Sequence, residues 1–282
     1  MAGKVCMITG SNSGIGKATA VKLAKIGATV VMVCRDKKKG ESTLTEIEAR
    51  TGNEAVTLML TDLSSQESIH QLAKDFKKQY GKLHVLINNA GVFLARRSVT
   101  VDGIETTFAV NHLAYFLLTN LLIDTLKAST PARIINVSSR AHHTGTIDFD
   151  NLQGEKHYNG YRAYSQSKLA NVLFTYELAK RLEGTGVTTN CLHPGFVKTG
   201  LLRGKNAGWY FPIITTLLRP FMLSSEKGSE TCVYLAASPE VEGVSSKYFV
   251  KKAEVTSSTQ SYNGAVARRL WEVSAALTKL SA

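Results

Sequence analysis

The sequence predicts a single-domain α/β protein, a doubly wound parallel sheet with helices on both faces. Three observations lead there. Six short apolar runs recur along the chain, longer segments of helical period separate them, and 282 residues suit one α/β domain of ~250 residues. Alternation of this kind builds right-handed crossovers between parallel strands.

The first run, 4–9 (KVCMIT), is nearly continuous in apolar residues, as a strand covered on both faces must be. The runs 29–34 (TVVMVC), 55–61 (AVTLMLT), 84–88 (HVLIN), 133–138 (RIINVS) and 187–193 (VTTNCLH) read the same way. Helices are expected near 15–27, 37–50, 65–80, 103–127 and 162–183. A stripe of Val266, Leu270, Val273, Leu277 and Leu280 predicts a C-terminal helix over 262–280. It reads as docked on the domain's own surface, with a partner-binding helix left open. Two segments break the rhythm. Residues 140–161 form a long polar connection, and residues 199–223 an apolar, Gly- and Pro-punctuated insertion. Connections of that length in a compact domain tend to be lids or binding loops. No repeat, low-complexity tract or linker intervenes, so 1–282 reads as one domain with 199–223 as its substrate lid.

Composition narrows the function classes. Lys and Arg number 34 against 22 Asp and Glu, a formal charge of +12 that calls for an anionic partner. Nucleic acid, an anionic membrane face and a phosphorylated cofactor all fit the charge. With no nucleic-acid motif and no basic strip interleaved with aromatics, no nucleic-acid partner is expected. Cys6, Cys34, Cys191 and Cys232 are widely spaced and read as buried thiols of a reducing compartment. His142, His143 and His157 lack the company of a metal site, so no metal is expected. No signal-peptide pattern opens the chain, and the uncharged apolar run 206–218 is too short for the ~20 residues a spanning helix needs. A cytoplasmic protein is expected, without a transmembrane segment and with peripheral membrane contact left open.

Chemistry begins at Gly10-Ser11-Asn12-Ser13-Gly14-Ile15-Gly16, which follows the first strand and opens a helix. That is the context of a dinucleotide-binding turn. The glycines permit a tight turn, close approach of backbone to a pyrophosphate and close helix–strand packing, and the helix N-terminus offers free N–H groups. The second strand ends in Cys34-Arg35-Asp36. Arg35 can fork onto a 2′-phosphate, which favours NADP(H) over NAD, while the carboxylate that NAD would want lies one position further, at Asp36.

Tyr164 and Lys168 share a helix face at i and i+4. A phenol titrates near pH ~10, and a neighbouring ammonium favours its phenolate, so the pair suits general acid/base work. Ser138 and Ser139 end the fifth strand at the edge where such sheets bind ligands, and a serine there can hydrogen-bond a substrate oxygen. Asn88 and Asn89 end the fourth strand, either lining a cofactor or tying strands together, and Asn111 follows in the next helix. His193 reads as capping a strand end.

Taken in order, TGxxxGxG, Asn88-Asn89-Ala90-Gly91, Ser139, Tyr164-xxx-Lys168 and His193-Pro194-Gly195 resemble the short-chain dehydrogenase/reductase family in its classical form, over nearly the whole chain. Cys34-Arg35-Asp36, Val137-Ser138-Ser139-Arg140-Ala141-His142-His143, Ser167-Lys168-Leu169-Ala170-Asn171-Val172-Leu173-Phe174 and Ala267-Arg268-Arg269-Leu270-Trp271 resemble its retinol dehydrogenase-like group. The resemblance implies a Rossmann-type fold and an NADP-dependent oxidoreductase acting on CH-OH or C=O groups. It implies Tyr164 as acid/base, and Lys168 holding the nicotinamide ribose and lowering the tyrosine's pKa. Ser139 would orient the substrate, and Asn111 would sustain a water relay to Lys168. Asp62 and Leu63 would meet the adenine, and Asn89, Ala90 and Gly91 the ribose side. Pro194, Gly195, Val197 and Thr199 would lie along the carboxamide. Ser139 precedes Tyr164 by 25 residues, a longer gap than many family members have and one this group shares. Its members often carry an N-terminal membrane anchor, which the opening residues do not supply.

The apolar residues of 199–223, Trp209, Tyr210 and Phe211 among them, suit a pocket for a lipophilic alcohol, aldehyde or ketone. A dimer contact and a membrane-surface patch stay open, as does homo-oligomerisation. The alternative function is an NADP(H)-binding sensor or regulatory protein of the same fold without turnover.

Overall fold

The structure, a computed structural model, describes residues 1–197 and 222–280. All six expected strands form: Val5–Thr9 (β1), Thr29–Cys34 (β2), Val56–Leu60 (β3), Val85–Asn88 (β4), Ala132–Val137 (β5) and Val187–His193 (β6). Two more, Tyr248–Val250 (β7) and Ala253–Glu254 (β8), complete an eight-stranded sheet in the order β3-β2-β1-β4-β5-β6-β7-β8. Every pairing is parallel except that of β7 with β8. The added strands, three and two residues long, are too short to carry a period in sequence.

The helices are Gly14–Lys25 (α1), Lys37–Thr51 (α2), Gln66–Gln79 (α3), Thr106–Lys127 (α4), Gly160–Arg181 (α5), Glu230–Ala237 (α6) and Gly264–Leu277 (α7). Alternate strand residues feed two cores. Met7, Val31, Val33, Leu86 and Ile134 pack beneath α3, α4 and α5, whereas Cys6, Ile8, Val30, Met32 and Ile87 pack against the α1 and α6 side. Burial on both faces explains why these strands read as continuous apolar runs. The third run departs from that reading. As the edge strand, β3 leaves Thr57, Leu58 and Met59 half-buried and Leu60 exposed.

The helix α4 has length and composition enough to cross a membrane, a segment the sequence reading passes over in favour of 206–218. In the fold 78% of its apolar window is buried, so it serves as a core helix. Glu105 caps it, accepting from the Thr107 and Phe108 N–H groups at 2.8 and 2.7 Å. A π turn, Ala109–Leu113, lies inside it and carries Asn111 and His112. The C-terminal helix α7 buries Ala267, Leu270, Trp271, Ser274 and Ala275, a face rotated from the expected apolar stripe. Buried Ser274 accounts for the rotation: its hydroxyl lies 2.9 Å from His112 Nε2, a polar anchor that an apolar count overlooks. Trp271 stacks edge-on against Phe116, with ring centroids 4.8 Å apart.

Strand order reverses between β1 and β4, and ligands of open α/β sheets bind at the carboxyl ends of the strands beside such a switch point. The Gly10 turn leaves one of these ends and Asn89-Ala90-Gly91 the other.

Candidate active site

The glycine turn is built by close approach. Gly10 adopts φ +67°, and its N–H donates to the Val33 carbonyl at 2.8 Å. A Cβ on Gly10 would lie 2.9 Å from Ala90 Cα, and one on Gly16 would lie 2.4 Å from the Gly10 oxygen. Asn89 holds the turn from β4, donating to the Thr9 and Gly10 carbonyls at 2.8 and 3.4 Å. The Thr9 hydroxyl accepts in return from the Asn89 and Ala90 N–H groups at 2.9 and 3.1 Å. Ser11 is buried with its hydroxyl on the Val33 carbonyl, and the Asn12 carbonyl accepts from Thr43 at 3.2 Å. Ile15 packs in one cluster with Val197, bringing the end of β6 beside the turn. Ser13 sits extended before α1 and, among the described residues, caps no N–H; the first helical turn has no acidic residue. The positive end of α1 is therefore open to an anion.

Past β2, Arg35 faces Asp62 across 3.6 Å at the exposed carboxyl ends of β2 and β3. Asp36 is the N-cap of α2, accepting from the Lys39 N–H at 3.1 Å. That capping role engages the carboxylate that competes with the Arg35 reading. Asp62 accepts from both the N–H and the hydroxyl of Ser64 at 2.9 and 2.7 Å. These bonds and the Arg35 guanidinium hold its carboxyl below the usual range, against the opposing effect of burial. Leu63 is half-buried and packs on the core beside it.

Tyr164 and Lys168 lie one turn apart on α5, with the Lys168 Nζ 5.7 Å from the centroid of the Tyr164 ring. The Ser139 hydroxyl stands near enough to the Tyr164 phenol to favour its ionised form. Ser138, its neighbour, instead donates to the Lys168 carbonyl at 2.8 Å and so fastens α5 to β5. Lys168 is 4% exposed, and its Nζ donates to the Val137 carbonyl at 3.1 Å. Burial pulls this ammonium down to about 7. Burial likewise pushes the Tyr164 phenol above its ordinary value, with the nearby Ser139 hydroxyl acting the other way. The sequence expects a phenol lowered by its lysine; the enclosed setting raises it, because a low-dielectric surround disfavours both charged forms.

The Asn111 carboxamide closes on Val92, accepting from its N–H at 2.7 Å and donating to its carbonyl at 3.0 Å, and it also donates to Ser167 at 3.0 Å. A Cβ on Gly91 would lie 3.3 Å from Asn111 Oδ1 and 3.5 Å from Lys168 Nζ, so Gly91 keeps a cradle open over both. Asn88 turns inward and donates to Thr119 and Asn136 at 3.0 and 2.9 Å, tying β4 to α4 and β5. Pro194 and Gly195 are half-buried at the end of β6, and the Gly195 N–H donates to His193 Nδ1 at 3.3 Å. Val197 bridges to Leu223. Thr199 and the lid residues 199–221 lie outside the described residues.

Three contributors give no sequence signal. The buried Tyr115 donates to the Ala90 carbonyl at 2.7 Å, and its ring lies 5.8 Å from Lys168 Nζ, yet in sequence it reads as core. Phe93 stands edge-on to Tyr164, with ring centroids 5.7 Å apart. His142 is fully buried beside Ser139, not a loop histidine. His143 is exposed, and His157 accepts a 3.0 Å bond from Asn151 at its carbonyl.

These residues fit a dinucleotide: an uncapped helix N-terminus behind a glycine turn, then a glycine cradle beside a buried lysine. Fold and site together define a nicotinamide-dependent oxidoreductase acting between alcohol and carbonyl groups. The chain belongs to the short chain dehydrogenase family, whose model matches residues 4–208. It is 49% identical over 275 residues to retinol dehydrogenase 12 of Bos taurus, covering 98% of this chain and 86% of that one. With retinol dehydrogenase 11 of Homo sapiens it shares 48% over 278 residues, 99% of this chain and 86% of the relative. Among solved structures, an uncharacterised protein from Mycobacterium paratuberculosis superposes with a TM-score of 0.80 at 33% identity, over 99% of this chain and 95% of the other. The Pseudomonas aeruginosa RhlG/NADP complex superposes at 0.71 with 25% identity, over 88% and 94%.

Proposed function

We propose that the protein is an NADP(H)-dependent oxidoreductase of retinol dehydrogenase type, interconverting a lipophilic alcohol and its aldehyde or ketone. The carrying observation is the buried Lys168 amine 5.7 Å from the Tyr164 ring centroid, with the Ser139 hydroxyl on the side of the phenol. It favours catalysis over a sensor without turnover, because binding alone has no use for a hydroxyl beside a phenol.

The turn from Gly10 to Gly16 would hold the pyrophosphate, Arg35 the 2′-phosphate, and Asp62 with Leu63 the adenine. Asn89, Ala90 and Gly91 would flank a ribose. Lys168 would hold the nicotinamide ribose, and Pro194, Gly195, Val197 and Thr199 the carboxamide. A nicotinamide held there would supply hydride to the substrate carbon in reduction and take it up in oxidation. Ser139 donates to the substrate oxygen and orients it. Tyr164 gives its phenolic proton to that oxygen in reduction and takes it back in oxidation. Lys168, when charged, stabilises the phenolate left behind. Phe93 presents an apolar edge beside Tyr164 and keeps water from the reacting oxygen.

The RhlG complex and a gluconate 5-dehydrogenase of Beutenbergia cavernae, each at 25% identity, were solved with NADP, which supports NADP(H) as the cofactor here. The retinol dehydrogenases support a lipophilic substrate. We place the protein in the cytoplasm, free or against a membrane surface, a location that cell fractionation checks.

The test is NADPH consumption with all-trans-retinal, long-chain aldehydes and aromatic ketones. Tyr164→Phe is expected to cut turnover by about 10²–10⁴-fold while NADPH binding persists. Undiminished turnover in that variant overturns the assignment.

A further inference from the structure

His142 joins two parts of the chain that are 116 residues apart. Its Nδ1 lies 2.7 Å from the Ser139 carbonyl oxygen, and its Nε2 lies 3.1 Å from the Ser258 backbone nitrogen. Ser258 N–H is a donor, so Nε2 must accept, and the ring proton sits on Nδ1 and donates to Ser139. The same Ser139 carbonyl also accepts from the His142 backbone N–H at 3.0 Å. One residue thus clamps that carbonyl twice, through main chain and side chain.

The setting makes the clamp rigid. The ring is wholly buried, between His143 at 4.0 Å and Tyr248 at 4.8 Å between centroids. Burial keeps the imidazole neutral, with its pKa pulled down to about 4, so its single ring proton stays on the nitrogen facing Ser139. Ser258 lies in the connection between β8 and α7, which is itself braced. Ser257 bonds the Tyr176 hydroxyl of α5 at 2.7 Å, and the Ser258 carbonyl accepts from Ser261.

We propose that His142 is a positioning residue for catalysis, holding the Ser139 main chain so that its hydroxyl meets the Tyr164 phenol. The anchor of that hold is the segment before the C-terminal helix. The proposal rests on the Ser139 role given above and deepens it. Ser139 begins a short 3-10 turn, Arg140–Thr144, and its hydroxyl also accepts from the Ala141 N–H at 3.3 Å. A small rotation of the Ser139 backbone would favour that local bond over the phenol. The imidazole, pinned from outside the turn, opposes the rotation.

The experiment is a double-mutant cycle on the full chain, with NADPH and all-trans-retinal. His142→Phe keeps the ring stacking and removes the ring's bonds to Ser139, Ser258 and Tyr248. His142→Asn keeps a donor at the δ position but gives up the ring and the Ser258 anchor. The expected result is a fall in kcat of about tenfold for the phenylalanine variant, recovered only in part by asparagine, with NADPH affinity unchanged in both. In a Ser139→Ala background the phenylalanine change should cost almost nothing further, since residues acting as a unit are not additive. An equal loss in both backgrounds, or a phenylalanine variant with undiminished kcat, overturns the proposal. Ser139→Ala with full activity would instead overturn the serine's role, which separates the two failures.

Discussion

Lys168 and Val137 are joined by a 3.1 Å hydrogen bond from Nζ to the strand carbonyl, and that bond aims the amine past the Tyr164 ring. The lysine is therefore positioned by β5 as well as by its own helix. Ser138 reinforces the same seam from the other side, through the Lys168 carbonyl.

A buried amine is a stability cost. With its pKa pulled to about 7, Lys168 gives up its proton in the folded protein well before it would in the unfolded chain. Between pH 7 and its ordinary value the unfolded chain holds more protons, so this residue makes stability rise with pH. Lys168→Met should raise stability at pH 7 by about 1–3 kcal/mol, after the lost Val137 bond is set against the relieved desolvation. Turnover should vanish. Thermal melts of both proteins check this, and a lower melting temperature for the variant contradicts it.

Three histidines set the acid limit. Burial pushes His112, His142 and His193 down to about 4, below the unfolded value of 6.5. Below pH 6.5 the unfolded chain takes up protons first, so stability is complete above that pH and declines until about pH 4. At pH 5 each should contribute about 2 kcal/mol of loss. Urea midpoints at pH 7.5 and 5.0 measure it. His112→Asn should flatten the difference by roughly a third, the share of one of three such groups.

The proposed preference for NADP(H) is tested at the exposed end of β2. Arg35 has Asp62 as its 3.6 Å partner and faces solvent, free to pivot onto a phosphate. Arg35→Ala should raise the KM for NADPH by about tenfold or more and leave that for NADH nearly unchanged. Equal effects on both cofactors would remove the arginine from the phosphate site.

The glycine turn tolerates no side chain at its third glycine. Gly16→Ala would set a methyl 2.4 Å from the Gly10 oxygen and 2.5 Å from Asn89 Nδ2, both held by other bonds. A destabilisation of about 1–3 kcal/mol, with weakened NADPH binding, is expected from denaturation and fluorescence titration. Wild-type stability in this variant would show that the turn yields.

The fold was readable because its strands are buried on both faces, leaving apolar runs such as Val30 to Val33 that few other contexts produce. The short β7 and β8 were not, since three and two residues carry no period. At the site, Tyr164, Lys168 and the glycines announce themselves by spacing. Tyr115 and His142 do not. Their roles come from hydrogen bonds to backbone carbonyls at Ala90 and Ser139, and a carbonyl is the same whatever the residue. The raised phenol was equally hidden, because burial is a property of the assembled fold.

The bridge between Val197 and Leu223, with the Leu223 N–H on the Phe196 carbonyl at 2.7 Å, gives the chain a fixed exit and re-entry point at the rim of the sheet. Sequence between those two points can be exchanged as a cassette, because loop closure costs little more when a loop lengthens and the sheet below keeps its own register. Grafting the corresponding stretch of a relative between Val197 and Leu223 asks directly whether that stretch carries substrate preference, with the strands below unchanged.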